Sequence, residues 1–402
     1  MRLTLRLLRG LFYVLVIFVI TIALDVVLTR YVWPESIMQR IDRERFHRVY
    51  SPIYHHGLLP NRRVHRAQWS DRPYAFSTNS LGFKDHEVRD VPSASEATRL
   101  VMVGDSFTEG AGFAFSQTFS GHVDRSLREQ GIEIFNAGVV SYSPAIYYRR
   151  IKHLIDEQGF QFDELVVFLD ISDIYEEANS VRLDEHDRVI DRELGPTGYR
   201  LRVASEAVRT FLKQSSLMYR FISELNRQRK SSVTRKNTPT IRCLDALAVV
   251  DGDVRRVRQG VLLERLMTPG SSWTFDEDIF QQWGERGLQT AATNLGRLHD
   301  LAQEHEISMT LVVYPWPAQI FHRDLDSRHV SFWRSWADSR GVPFLNLFPA
   351  FIDGSDPLET YASYFIPCDV HWNAAGHEYV AQKFLDFYQR QAELAESELG
   401  SE

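Results

Sequence analysis

Apolar and polar positions fall into three regimes along this chain. Near the N-terminus, Leu11-Phe12-Tyr13-Val14-Leu15-Val16-Ile17-Phe18-Val19-Ile20 runs on to Leu24. After Asp25 it resumes at Val26-Val27-Leu28 and ends at Arg30, Tyr31 and Trp33. A membrane span needs about 20 mostly apolar residues. The stretch reaches that length with Asp25 near the far interface, where a carboxylate costs less than at the centre. Arg2, Arg6 and Arg9 favour a cytoplasmic N-terminus, and Tyr31 and Trp33 suit the outer interface. No small-x-small cleavage pattern follows, which predicts an uncleaved anchor rather than a removed signal peptide. The remaining chain then lies outside the cytoplasmic membrane.

The second regime starts at Thr98 and alternates short apolar runs with helical spacing. Leu100–Val103, Ile132–Asn136, Glu164–Leu169, Ser308–Val313 and Pro343–Leu347 read as strands. Gln117–Gln130, Tyr147–Gln158, Phe280–His305, Asp326–Arg340 and Ala374–Gln391 read as helices. Such alternation predicts a parallel sheet with helices on both faces.

Between about 176 and 275 the alternation stops. Glu176–Pro196 is charged and turn-rich, and Leu201–Asn226 reads as one amphipathic helix with Val208, Phe211, Leu212, Phe221, Ile222 and Leu225 as apolar positions. Arg229–Thr240 is basic and polar, and Val249–Thr274 carries no clear pattern. The predicted organisation is a cytoplasmic tail (1–9), a transmembrane anchor (10–31), a lead-in (32–97), an α/β catalytic domain (98–391) with a largely helical insertion (about 176–275), and a flexible tail (392–402). In the lead-in, Glu35–Tyr50 has helical spacing, and Gly57–Pro92 reads as irregular. Adjacent side chains such as His55 and His56 diverge, which predicts a solvated pair rather than a metal site.

At 402 residues there is room for two average domains or one with an insertion. A hydrophobic fraction of 44% and a charged fraction of 25% are ordinary for a folded chain. The net charge of −7 provides no basic field, so no nucleic-acid partner is expected. Cys243 and Cys368 are no disulfide framework. Their spacing leaves open a single bond in an oxidising compartment or a free thiol at Cys368, beside Asp369.

Two stretches carry chemistry. In Leu100-Val-Met-Val-Gly-Asp-Ser-Phe-Thr-Glu-Gly-Ala-Gly112 a buried strand ends at Gly104-Asp105-Ser106. A serine at the carboxyl end of a parallel strand faces the crevice where α/β sheets bind ligands. It serves there either as a nucleophile or as a turn cap. Far downstream, Asp369 and His371 stand two apart, so in an extended stretch they project to one side. The carboxylate then orients the imidazole, and its other nitrogen is free to take a proton from Ser106. Asp369, His371 and His377 are also the residue types of a two-histidine, one-carboxylate metal set. His377 falls one turn inside the helix, and no metal or organic cofactor is expected.

The strand-Gly104-Asp105-Ser106 and the Asp369-Val370-His371-Trp372-Asn373-Ala374-Ala375-Gly376 opening of the last helix resemble the SGNH/GDSL hydrolase family. The resemblance covers about residues 98–390 less the insertion, and Asn79-Ser80-Leu81-Gly82-Phe83 resembles the lead-in of membrane-anchored bacterial members. It implies a three-layer, flavodoxin-like α/β fold with a five-stranded parallel sheet. Ser106 is then the nucleophile, His371 the general base and Asp369 its partner. The implied oxyanion hole comprises the Ser106 amide, Ser141 at the family's glycine position and Ser172 at its asparagine position. Asp170 adds a charge near it, and the D-x-H spacing resembles that of bacterial exopolysaccharide O-acetyltransferases.

Tyr314, Trp316 and Trp372 border the crevice as sugar-stacking or packing residues. Glu109 is either a cation holder or a solvated turn carboxylate. The implied activity is cleavage or transfer of an acyl ester of a cell-envelope glycan or related small ester. The protein is then a single-pass one of the bacterial inner membrane with its catalytic domain in the periplasm. The departures at Ser141, Asp170 and Ser172 leave open a catalytically silent, glycan-binding scaffold.

Overall fold

A computed structural model describes residues 2–32, 47–69, 72–235 and 266–399. Trp33, Cys243, most of the expected helix in Glu35–Tyr50, and the segment 236–265 lie outside the described residues.

In chain order, helix α1 (Arg2–Tyr31) precedes a hairpin of β1 (Arg48–Ser51) and β2 (His55–Leu58). Strands β3 (Arg63–Trp69), β4 (Arg72–Thr78) and β5 (Lys84–Asp85) follow. Next come β6 (Thr98–Gly104), α2 (Ser106–Glu109), α3 (Phe119–Leu127), β7 (Ile132–Asn136), α4 (Pro144–Asp156) and β8 (Glu164–Leu169). Helix α5 (Asp173–Asn179), a hairpin of β9 (Val181–Leu183) and β10 (Val189–Asp191), α6 (Pro196–Ser215) and α7 (Leu217–Arg235) occupy the insertion. The chain then forms α8 (Glu285–Glu304), β11 (Ser308–Val313), α9 (Arg328–Asp338), β12 (Phe344–Asn346), α10 (Pro357–Tyr364) and α11 (Ala374–Leu399).

The large sheet has eight strands in the order β12-β11-β8-β6-β7-β5-β4-β3. Its first five are mutually parallel. Numbered by appearance, they run 2-1-3-4-5 from β7 to β12, the flavodoxin-like order, with a switch point between β6 and β8. Their residues Val101, Met102, Val103, Leu165–Leu169 and Leu311–Val313 are buried without alternation, as strands covered on both faces require. Helix α3 packs with α11, and α4 with α8, forming the covering layers.

The expected five strands are thus the parallel half of a larger mixed sheet. Residues 63–85, read as irregular, add three antiparallel strands. Tyr74 and Phe76 point inward and Ala75 outward, a period-two pattern obscured in sequence by neighbouring arginines. These strands cover the β7 edge that a bare parallel sheet leaves open.

Three other expectations change. His55 and His56 converge instead of diverging, because His55 adopts a left-handed φ of 72°. Their Nδ1 atoms lie 2.7 Å apart, and His55 stacks on the Tyr199 ring. The helix expected over Leu201–Asn226 breaks at Ser216, which is extended at φ −131° and ψ 114°. The last helix extends to Leu399, past its expected end at Gln391. Cys368 is disulfide-bonded and not a free thiol. Helix α1 is long and apolar enough over Phe12–Tyr31 to cross a membrane.

Candidate active site

Ser106 opens α2 directly off β6, at the carboxyl end of the strand beside the switch point. Asp105 caps α2, its Oδ1 accepting the Phe107 N–H at 2.9 Å. Gly104 makes the reversal sterically feasible: a Cβ there would lie 2.1 Å from Thr108 Oγ1. Asp369 and His371 sit in the loop between α10 and α11. That loop is pinned by Ile366 N–H donating to His371 O at 2.8 Å and by a Phe365–Trp372 bridge. The Tyr361 hydroxyl accepts the Asp369 N–H at 3.2 Å and lies 3.0 Å from Asp369 O.

The fold brings the three sequence-assigned residues together. His371 Nε2 is 2.7 Å from Ser106 Oγ, and His371 Nδ1 is 2.5 Å from Asp369 Oδ1. Trp69, from β3, donates its Nε1–H to Asp369 Oδ2 at 3.1 Å and sets its ring edge-on to the imidazole. Phe107 stacks on the imidazole with centroids 4.6 Å apart. Burial opposes the charged form of His371. The hydrogen bond and charge of Asp369, with Asp105 and Asp170 behind, outweigh it and leave the pKa raised. Burial likewise opposes ionisation of Asp369, but the bond to His371 holds it below its usual value.

A second feature was not legible in sequence. Asp105, Asp170 and Asp173 are all buried, with carboxylate oxygens within 4.8 Å of one another. Burial, then the Asp170 charge, pushes Asp105 up to about 7. Burial also raises Asp170 and raises Asp173 well above its usual value. The cluster has metal-ligating chemistry, yet protein donors already occupy most of its oxygens. Asp173 Oδ2 accepts from Tyr147 Oη at 2.6 Å and from Asp170 N–H at 2.9 Å. Asp105 Oδ2 is 3.0 Å from Ser106 Oγ. Only Asp173 Oδ1 lacks a partner. Protonated carboxyls fit this environment.

On the oxyanion side, the Ser106 N–H is the first of α2 and has no intrahelical acceptor. Ser141 follows β7 in a left-handed turn at φ 61°. The turn is seated on the end of β6 and on α2: Val139 N–H donates to Gly104 O at 3.1 Å, and Val140 N–H to Glu109 Oε2 at 2.9 Å. Ser172 does not supply the donor expected of it. Its hydroxyl and its N–H both go to Asp170 Oδ1, at 2.6 and 2.7 Å, because a side chain one atom shorter than asparagine folds back on its neighbour.

Glu109 is neither solvated nor open to an outside cation. It is wholly buried and takes a bidentate pair from Arg48 of β1 at 2.7 and 2.8 Å. Burial alone would raise its pKa, but Arg48 and then Lys84 bring it down to about 2. Lys84 is also buried, donating to Gly110 O at 2.9 Å and Phe113 O at 2.8 Å, and burial lowers its pKa to about 7. Tyr314 and Trp372 are completely buried, so they pack beneath the site and offer no stacking face. Trp316 is nearly so, with Nε1 donating to Asp170 Oδ2 at 2.6 Å. His377 packs against Phe113 and Phe119 and accepts the Phe119 N–H at 3.3 Å, apart from the Asp369–His371 pair.

No protein-family model and no curated protein matches this chain. Among solved structures it is similar to the psychrotrophic esterase EstA from Pseudoalteromonas sp., at 10% identity over 74% of this chain and 99% of that one, with a TM-score of 0.37. TesA aligns at 12% identity over 72% of this chain and 97% of that one, TM-score 0.37. A catalytic mutant of Axe2, an acetylxylan esterase from Geobacillus stearothermophilus, aligns at 13% over 74% of this chain and 96% of that one, TM-score 0.37.

Proposed function

We propose that the chain is a serine-dependent esterase or O-acyltransferase acting on an acyl ester of a cell-envelope glycan through a covalent acyl-enzyme. The observation that carries this reading is the unbroken chain Ser106 Oγ–His371 Nε2 and His371 Nδ1–Asp369 Oδ1 at the sheet's switch point. Ser106 Oγ attacks the ester carbonyl while its proton passes to His371 Nε2. Asp369 stabilises the imidazolium. The Ser106 and Ser141 N–H groups are the donors for the developing oxyanion. The carbon–oxygen bond breaks as His371 returns the proton to the leaving alkoxide, leaving Ser106 acylated. Water or a sugar hydroxyl then gives its proton to His371, attacks the acyl carbon and releases Ser106, which recovers the proton.

In this reading α1 is a membrane anchor, and Arg2, Arg6 and Arg9 before it favour a cytoplasmic N-terminus with the catalytic unit periplasmic. The disulfide at Cys368 suits such an oxidising compartment.

Mass spectrometry of the full chain in detergent, after incubation with an activated acetyl ester, tests the reading. An acetyl group on Ser106, absent in His371→Ala, supports it. A folded protein that stays unmodified, and also fails to react with a fluorophosphonate, sinks it. That outcome favours a glycan-binding scaffold, for which the commitment of Ser172 to Asp170 is the supporting observation.

A further inference from the structure

Helices α6 and α7 form a bent pair whose elbow, Ser216, lies against the anchor. Ser216 Oγ hydrogen-bonds Asp25 Oδ2, Met218 N–H donates to Asp25 Oδ1 at 3.3 Å, and Leu217 N–H donates to Thr29 Oγ1 at 3.2 Å. Tyr219 N–H is taken by Ser216 Oγ at 2.9 Å. The first free N–H groups of α7 are therefore capped largely by side chains of α1. This accounts for the acidic residue inside an apolar run: its carboxylate faces the positive end of a helix. By helix rise, Asp25 sits about 9 Å short of Tyr31, so the elbow lies at interfacial depth beside the span.

The pair keeps large apolar side chains outside. On α6, Leu201, Val208 and Phe211 share one face and are 68%, 60% and 49% exposed. On α7, Phe221, Ile222 and Leu225 share one face and are 57%, 50% and 43% exposed. Residues 196–235 carry nine Lys or Arg and two Glu, in a chain whose net charge is −7. An apolar stripe beside a strong local excess of positive charge is the composition of an interfacial helix on an anionic surface. On α1, against which the elbow is docked, Ile20, Leu24 and Val27 are likewise outside.

We propose that α6 and α7 are a second membrane-contacting element, lying in the headgroup–acyl boundary beside the anchor and fixing the catalytic unit against the bilayer. The occupant of the apolar faces is lipid. The proposal rests on α1 being a membrane span. Asp25 and Thr29 make α1 and α7 one docked unit rather than a tethered domain and a free anchor.

Acyl-chain crosslinking tests it. The full chain is placed in phosphatidylethanolamine and phosphatidylglycerol vesicles containing a phosphatidylcholine with a diazirine in its acyl chain, and the labelled peptides are mapped. Labelling of both α1 and 201–225, with α9 unlabelled, is the expected result. Phe211→Glu combined with Phe221→Glu should lower the 201–225 label about tenfold while sparing that of α1. A labelled α1 with 201–225 unlabelled overturns the proposal and leaves the anchor standing, as when a second copy or another part of the chain covers these faces. An unlabelled α1 overturns the anchor and this proposal together.

Discussion

Asp105 Oδ2 lies 3.0 Å from Ser106 Oγ, so the residue that caps the nucleophile's helix also competes with His371 for the serine proton. The hydroxyl has one proton and two acceptors within reach, at 3.0 Å and 2.7 Å. Ionised, Asp105 draws the proton away from the base and helps hold His371 protonated. Protonated, it donates to Ser106 Oγ and leaves the serine proton to His371. With Asp105 pushed up to about 7, both forms exist near neutrality.

Asp105→Asn should therefore move the acid limb of the activity profile downward. The base must be neutral to accept a proton, so activity rises with pH through the raised His371 pKa. Asparagine keeps an oxygen to cap Phe107 N–H but removes a charge that favours the imidazolium. The measurement is kcat/KM for an activated ester against pH. A limb that stays in place or moves upward contradicts this assignment.

Trp69 acts on the same limb with opposite sign. Its Nε1–H to Asp369 Oδ2 stabilises the carboxylate. Without it the charge is less compensated and attracts the imidazolium more strongly, so in Trp69→Phe the limb should shift to higher pH. A hydrogen bond to a charged group is worth about 1.5–3 kcal/mol, and about tenfold of turnover should go with it. A drop in activity with no shift would mean that Trp69 only packs.

That residue also marks where the sequence stopped being legible. The five parallel strands, the turn at Ser106 and the Asp369–His371 pair are local patterns, each a run or a spacing in the sequence. Trp69 and Lys84 reach the site from a segment with no apolar run, through pairing with an edge the sequence does not announce, and Arg48 reaches it from a separate two-stranded hairpin. Ser172 holds the asparagine position of its block, but its short hydroxyl turns back to Asp170, which no sequence position encodes. Burial of Asp170 and Asp173 beside Asp105 brings together residues from two strand ends, and no spacing encodes that.

The acidic cluster carries a stability cost that depends on pH. Asp173 ionises near 3.8 in the unfolded chain, while burial raises its pKa well above that in the folded one. The folded state then holds a proton that the unfolded state has released, so its contribution to stability is present below 3.8 and is lost as pH rises. Asp173→Asn preserves the acceptor for Tyr147 and Asp170 and removes the titration. In denaturant melts the variant should gain stability over the parent at about pH 8 and match it near pH 3. Equal curves at both values would place the ionised form in the fold.

Glu109 should behave in the reverse sense. Its folded pKa of about 2 lies below the unfolded value of 4.5, so its contribution is full above 4.5 and is lost as pH falls through 2. Removing one partner of a buried pair costs about 3–5 kcal/mol; Arg48 is partly exposed, which places Glu109→Gln near about 3 kcal/mol at neutral pH. The glutamine amide retains an oxygen for the Val140 N–H, so the Ser141 turn keeps its seat. Glu109→Ala loses that seat as well. Both variants should therefore lose stability by urea titration, alanine by about 1 kcal/mol more for the lost Val140 bond, yet turnover should fall much further in alanine, by about 10- to 100-fold. Rescue of turnover by glutamine without a matching rescue of stability separates positioning of the oxyanion turn from support of the fold. If turnover instead tracks stability in both, Glu109 only holds Arg48 in place.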